Sequence, residues 1–239
     1  MARRRFFIDW LHDGIAELRG EEARHLTRVL RVEPGQRFEV SDNRAAYLAE
    51  ISEARGERVV FRVVEPIPSL EPPVHITLLA ALFKFDRFEW MVEKATELGV
   101  ERIVPVEAVR TEKGLLEASQ KRAERWRRIA REASQQSRRT RMPEIGAGVS
   151  FERAVETDAD IRFFLDEGEA APLIRALPEQ RAPRDSAALL LGPEGGWTEA
   201  ERESARNKGW IAVSLGPQVL RAETAAAAAL AIVTNAWMV

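Results

Sequence analysis

Residues 187–225 read AALLLGPEGGWTEAERESARNKGWIAVSLGPQVLRAETA. Ala187 to Leu191 is an unbroken apolar run bounded by turn residues, the pattern of a strand buried on both faces. Gly192-Pro193-Glu194-Gly195-Gly196 ends it, because glycine opens backbone angles closed to other residues and proline removes a donor. Thr198 suits a helix N-cap, with Glu201 three residues on to complete a capping box. Gly209 suits the end of that helix. Ile211 to Leu215 repeats the apolar run, Gly216-Pro217 repeats the turn, and the alanine-rich stretch 222–237 predicts a further helix. Glycine-rich turns are common as plain connections. Two of them, both at strand–helix junctions, predict two loops that meet over one ligand. Glu194 and Glu223 are carboxylates in apolar, glycine-rich surroundings. Arg221 stands at the start of a helix, where a cation opposes the dipole, and charges set against local preference often have another job. The chain has no G-x-G-x-x-G or G-x-x-x-x-G-K-[ST] pattern, so dinucleotide and nucleoside-triphosphate readings lack their motif.

Upstream, apolar runs alternate with helical stretches: strand-like 76–82, a helix over 88–98, strand-like 103–106, a long helix near 117–138, and strand-like 161–165. Such alternation predicts a mostly parallel α/β sheet. Residues 1–65 differ. Short strand-like stretches at 37–40, 46–51 and 59–64 are separated by turn signals at Pro34-Gly35, Asp42-Asn43 and Gly56, which suits a small β-barrel. The segment 65–73, EPIPSLEPP, has four prolines in nine residues and suggests a stiff linker. Two domains are expected, 1–68 and 69–239.

The 239 residues are 45% hydrophobic, enough for a substantial core. There is no cysteine, which excludes disulfides and thiolate metal sites. His12, His25 and His75 lack metal-ligand spacing, so no metal is expected. His25 suits a packing or hydrogen-bonding role. No stretch is long enough to span a membrane, and Asp9 and Asp13 interrupt any signal-peptide core near the N-terminus, so the expected location is cytoplasmic. Net charge is −2, yet nine Lys/Arg against two Glu between Lys121 and Arg141 leave a local excess of seven. Such a run neutralises phosphates or forms a solvated helix face.

The segments LGPEGGWTEAE and SLGPQVLRAETA resemble the two C-terminal motifs of the RsmE-type 16S rRNA (uracil-N3)-methyltransferases of the SPOUT class. The likeness extends over nearly the whole chain: Arg3 to Phe7, His25-Leu26 with Val29-Leu30-Arg31 and Gly35, Lys84 with the KATELGV segment 94–100, and EASQQS at 132–137 followed by Pro143. Gln218 departs from the pattern, standing where the family usually has arginine, and Val219 replaces the common isoleucine.

The resemblance implies a PUA-like RNA-binding barrel followed by a SPOUT α/β domain with a trefoil knot that binds S-adenosylmethionine. It implies a cofactor held by the segment after Leu165 and by two loops, with Leu191, Gly192, Glu194, Gly195 and Gly196 from the first and Leu215, Gly216, Val219, Leu220 and Thr224 from the second. Arg221 is the residue expected to stabilise charge on the uracil or fix its carbonyls. Glu223 suits either the proton acceptor or the residue that orients Arg221. A structural ion pair between the two is the rival reading. RNA contacts are expected from Arg3, Arg4, Arg5, Arg24, Arg28 and Arg31 in the barrel, and from Lys84, Arg87, Lys94, Arg110 and Arg138 in the catalytic domain. The expected partner is 16S ribosomal RNA or the small subunit. The apolar helix 222–237 is expected to be buried, either within the monomer or against the same helix of a homodimer partner. Two other functions remain open: a non-catalytic RNA-binding or ribosome-assembly factor on this fold, and a SPOUT methyltransferase acting at another RNA position.

Overall fold

The computed structural model describes residues 5–68 and 72–238, so Arg3 and Arg4 lie outside the described residues. The chain divides into two compact units: Met1–Glu71 with Arg131–Met142, and Pro72–Ala130 with Pro143–Val239.

In the first unit, β1 (Arg5–Phe7), β2 (Trp10–His12), β3 (Ile15–Arg19), α1 (Gly20–Arg28), β4 (Arg37–Ser41), β5 (Ala46–Arg55) and β6 (Arg58–Ile67) follow one another. The strands form one curled sheet in the order β1-β4-β5-β6-β3-β2. Pairing is antiparallel except between β1 and β4. Phe6, Leu18, Val40, Ile51, Val59 and Phe61 form its core together with Ala23 and Leu26 of α1. The first three strands are absent from the sequence reading; β1 and β2 have three residues each, too few to display a period of two. The helix α1 escapes it because Arg19 at its N-cap makes no side-chain cap bond. His25 is exposed on this helix rather than packed.

The expected linker begins later than its prolines suggest. Pro66 and Ile67 pair with Tyr47 and Ala46 as the end of β6. The β3 partner register stops at Arg62, so the end of β6 is an edge, where a residue without an N–H is tolerated.

Residues 131–142, which the sequence groups with the C-terminal part, belong to the first unit. Glu39 holds them. It accepts from Arg5 at 2.9 Å and from Arg138, and the Arg5 guanidinium reaches the Arg138 carbonyl and Thr140 Oγ1 at 3.1 Å. Arg5 and Glu39 side chains are each 7% exposed. The Ser41 hydroxyl donates to the Thr140 carbonyl at 2.6 Å, and Met142 N donates to Asn43 Oδ1 at 2.8 Å. Arg131 pairs with Glu22, whose carboxyl is pushed up by burial even though Arg131 and Gln135 bond it.

The second unit carries β7 (His75–Ala81), α2 (Phe85–Glu97), β8 (Arg102–Glu107), α3 (Leu115–Gln136, shared with the first unit), β9 (Glu144–Ile145), β10 (Val149–Ser150), α4 (Phe151–Ala154), β11 (Ile161–Leu165), β12 (Ala171–Pro172), α5 (Leu173–Ala176), β13 (Ser186–Leu191), α6 (Glu199–Asn207), β14 (Ile211–Ser214) and α7 (Ala222–Ala236). The strand order is β10-β8-β7-β13-β11-β14-β12, with β9 also on β8, and every pair is parallel. The expected mixed α/β class with a parallel sheet is what forms. Alternate residues of β13 serve two cores: Ala187, Leu189 and Leu191 on one face, Ala188 and Leu190 on the other. Burial on both faces explains the unbroken apolar run.

The basic run on α3 is largely paired within the fold. Glu89 accepts from Arg125 at 2.7 Å and Arg122 at 3.3 Å, and Glu124 accepts from Arg127 at 3.0 Å. Acids distant in sequence therefore offset much of the local excess. In α7, Ala226, Ala229, Leu230 and Val233 are buried against the second unit, while Ala227, Ala228, Ala231 and Ile232 are only half-buried.

Two outcomes are expected. Glu39→Ala leaves the buried Arg5 guanidinium without a counter-charge and destabilises by about 3–5 kcal/mol, read from the urea midpoint. Glu17 accepts from Arg19 at 2.6 Å and Arg58 at 2.7 Å, which holds its carboxyl at about 2 against an ordinary 4.5. A carboxyl lowered by folding stabilises above its unfolded value and loses that contribution as pH falls through the folded one. The midpoint difference between the native chain and Glu17→Gln is therefore fully present above pH 4.5 and closes towards about pH 2.

Candidate active site

In the second unit β13, β11 and β14 are consecutive in the sheet and parallel. Their C-terminal ends therefore stop side by side, the usual place for a ligand in a parallel sheet. The chain leaves them at Leu191-Gly192, at Leu165-Asp166-Glu167 and at Ser214-Leu215-Gly216. These exits bound a cleft. Seven of the expected cofactor residues line it: Leu165, Leu191, Gly192, Leu215, Gly216, Val219 and Leu220. Asp166, Glu167, Trp197, Val213, Gln218, Ala222 and Ala225 line it as well. Glu194, Gly195, Gly196 and Thr224 do not belong to the lining.

The wall between β11 and β13 is set by Trp197. It is 2% exposed, its ring stacks on Phe164 with centroids 4.8 Å apart, and its indole N–H donates to the Leu165 carbonyl at 2.9 Å. The absence of a side chain at Gly192 lets the indole approach, since a Cβ there would lie 2.9 Å from Trp197 Nε1. Trp197 is followed by the expected capping box. Glu201 N donates to Thr198 Oγ1 at 3.3 Å, and Thr198 N donates to Glu201 Oε2 at 2.8 Å. The other Glu201 oxygen accepts from Val109 N at 2.9 Å, so this carboxylate fastens α6 to the loop after β8.

Arg202 on α6 holds the second exit. Its Nε and Nη2 donate to the two Asp166 oxygens at 2.8 and 3.0 Å, and its Nη1 donates to the Trp197 carbonyl at 3.0 Å. Burial pushes the Asp166 carboxyl up. The Arg202 guanidinium and the amides of Gly168 and Glu167 more than offset this, and the carboxyl ends below its usual range. Glu167 makes no hydrogen bond or ion pair among the described residues.

Two of the arginines named as RNA candidates brace the glycine loop. Arg110 Nη1 donates to the Gly195 carbonyl at 2.7 Å, and its side chain lies where a Gly195 Cβ would have to go. Arg87 bonds Glu194 and stands 3.9 Å from Glu223 Oε1. Arg87 therefore joins the loop to the first turn of α7. Arg221 is not the ion-pair partner of Glu223. It occupies the N-cap position of α7, exposed, with no side-chain hydrogen bond or ion pair among the described residues. The Glu223 side chain is 12% exposed, and its Oε2 is buried without a hydrogen-bond partner.

The remaining basic candidates separate by their partners. Arg5 is buried on Glu39, and Arg138 shares that carboxylate. Arg24 pairs with Glu57, and Lys94 with Glu93 and Glu97 at 2.7 and 2.8 Å. Arg28, Arg31 and Lys84 are exposed and carry no such bond among the described residues.

Comparison with known proteins agrees with this geometry. A family model described as an RNA methyltransferase domain matches residues 70–234, and one described as an RNA methyltransferase PUA domain matches 18–64. The fold and cleft thus define an RNA methyltransferase with a PUA domain. A relative in Synechocystis sp., ribosomal RNA small subunit methyltransferase E, is 36% identical over 87% of this chain and 68% of its own length. The protein of that name in Mycobacterium tuberculosis is 32% identical over 97% of this chain and 92% of its own. The crystal structure of ribosomal RNA small subunit methyltransferase E from Neisseria gonorrhoeae, bound to S-adenosyl methionine, superposes with a TM-score of 0.88 at 29% identity, covering 98% of each chain. The chain belongs to the ribosomal RNA small subunit methyltransferase E family.

Gly192→Ala places a methyl group against a buried, stacked indole. It is expected to break the Trp197–Leu165 bond and cost about 1–3 kcal/mol, with the shift in urea midpoint as the measurement and tryptophan near-ultraviolet circular dichroism as the local readout.

Proposed function

We propose that this protein transfers a methyl group from S-adenosylmethionine to N3 of a uridine in small-subunit (16S) ribosomal RNA. The observation that carries the reading is the single cleft formed where β11, β13 and β14 end. Its chemistry fits the cofactor. Leu191, Leu215, Val219 and Leu220 offer apolar surface for a nucleobase, and Gly192 and Gly216 leave main chain accessible. Asp166 and Glu167 bring carboxylates to a ligand that bears two cations. The solved Neisseria relative holds this ligand. Cofactor residues outside the lining keep indirect roles in this proposal: Glu194, Gly195 and Gly196 shape the loop that Arg87 and Arg110 brace, and Thr224 follows Glu223 in the first turn of α7.

The sulfonium supplies the methyl carbon when bound. The residues of the chain must place a nucleophile in line with it. For an N3–CH3 bond to form, the N3 proton of the uridine would have to pass to a group of the chain. Glu223, with an unpartnered buried oxygen beside the cleft residues Ala222 and Ala225, is the acceptor in this proposal. Arg221, free and exposed at the same helix start, stabilises charge on the uracil oxygens. The RNA chain is held by Arg28 and Arg31 in domain 1–68 and by Lys84 in domain 69–239, RNA candidates that are exposed and carry no hydrogen bond or ion pair among the described residues. The target base has to leave any stack to reach the cleft.

The trefoil knot, homodimer and cytoplasmic location belong to the same proposal. Support for the knot is that β13 and β14, joined through α6, flank the earlier strand β11. Support for the dimer is the half-buried row on α7. No described helix is long and apolar enough to cross a membrane. Methyltransferase relatives matching nearly end to end favour this reading over a non-catalytic assembly factor.

Arg221→Ala is expected to lower the turnover of small-subunit RNA by about 10²–10³-fold with S-adenosylmethionine affinity unchanged by calorimetry. Nucleoside mass spectrometry of the product is expected to show 3-methyluridine. Near-normal turnover in the variant removes Arg221 from catalysis, and a different methylated nucleoside replaces the uridine reading.

A further inference from the structure

Arg202 does not line the cleft, yet it fastens together residues that do. Leu165 and Asp166 are consecutive where β11 ends, and Trp197 stands just before α6. The Trp197 indole N–H donates to the Leu165 carbonyl at 2.9 Å. From the other side, the Arg202 guanidinium donates to both Asp166 oxygens at 2.8 and 3.0 Å and to the Trp197 carbonyl at 3.0 Å. These four residues close a ring of hydrogen bonds that fixes the exit of β11 against the Trp197 wall. The ring is sheltered, with the Asp166 side chain 8% exposed and that of Arg202 21%. A planar guanidinium that meets both carboxylate oxygens fixes direction as well as distance. Glu199 also stands 3.8 Å from Arg202, but it is exposed, where such a pair counts for little.

We propose that Arg202 is a positioning residue for the methyl donor: it touches no ligand, and it sets donor affinity by holding Asp166 and Trp197 in the places where they line the cleft. The inference rests on the cofactor reading above. Site residues bind well when neighbours lock them in the bound geometry, because otherwise the ligand has to order them. Without the guanidinium, Asp166 retains bonds from its own loop, such as that from Gly168 N at 3.2 Å, and these move with the loop. The exit of β11 then has a range of positions from which the donor must select one.

The test is calorimetric titration with S-adenosylmethionine of the native chain, Arg202→Met, Asp166→Asn and the double variant. Arg202→Met keeps an apolar stem and removes the guanidinium. We expect affinity to fall about tenfold in Arg202→Met. In the Asp166→Asn background the same change is expected to cost about twofold or less, because the group through which Arg202 acts has gone. In turnover of small-subunit RNA by Arg202→Met, KM for the donor is expected to rise while kcat at saturating donor holds. A side chain that only supports the fold would lower the urea midpoint and leave donor affinity unmoved. Arg202→Lys keeps the charge without the fork and is expected to bind with intermediate affinity, which retains the test if Arg202→Met does not fold. Native-like affinity in either Arg202 variant overturns the proposal, as does an equal loss in both backgrounds or a fall in kcat with KM unchanged. If the native chain does not bind S-adenosylmethionine, the cofactor reading fails and this inference falls with it. If the native chain and Arg202→Met bind it equally well, the cofactor reading stands and this inference alone fails.

Discussion

Burial of the parallel sheet on both faces is the constraint on which the catalytic unit depends. A parallel strand gives its backbone groups to two neighbours and both sets of side chains to a core, so little but its ends is left for a ligand. Placing β11 between β13 and β14 makes three such ends adjacent. The chain must leave all three in the same direction, and the space between the departing segments is the cleft. The glycines follow from that geometry, because main chain and a stacked indole have to approach closely at Gly192, and a carboxylate at Gly196.

Around this centre, charged groups act mainly as fasteners. Arg202 ties the exit of β11 to α6, Glu201 ties α6 to the loop after β8, and Arg110 and Arg87 tie the glycine loop to its surroundings. Charge-assisted bonds between partly buried groups are directional, and they suit a loop that has no hydrophobic side chains of its own. Glu223 differs from these fasteners: Arg87 stands 3.9 Å from one of its oxygens, while the other is buried without a hydrogen-bond partner, in a segment that reaches the cleft.

The same sorting changes the picture of RNA binding. A net charge of −2 with a basic run on one helix suggests a nucleic-acid face. Much of that run is internally paired, on Glu89, Glu22 and Glu39. Among the RNA candidates described, Arg28, Arg31 and Lys84 are left open, and Lys121 and Arg128 of the basic run are exposed without such a bond among the described residues. Counting charges along a helix overlooks acids brought in from elsewhere in the chain, and so overstates the field that an RNA phosphate would meet.

What the sequence determined by itself was local. The apolar runs at 161–165 and 187–191 had to be buried strands, and the T-x-x-E box had to start a helix. The two Gly-Pro turns had to end strands, and the motifs placed the chain in its family. Seven of the expected cofactor residues share one cleft because they sit at strand ends, where local pattern and topology coincide. Only the tertiary structure decided the partners. That Arg5 is buried on Glu39, that Arg87 rather than Arg221 faces Glu223, and that Arg202 bonds Asp166 all depend on side chains meeting across dozens of residues. No period or propensity encodes such meetings, because they are set by the order of strands in the sheet and not by their order in the chain.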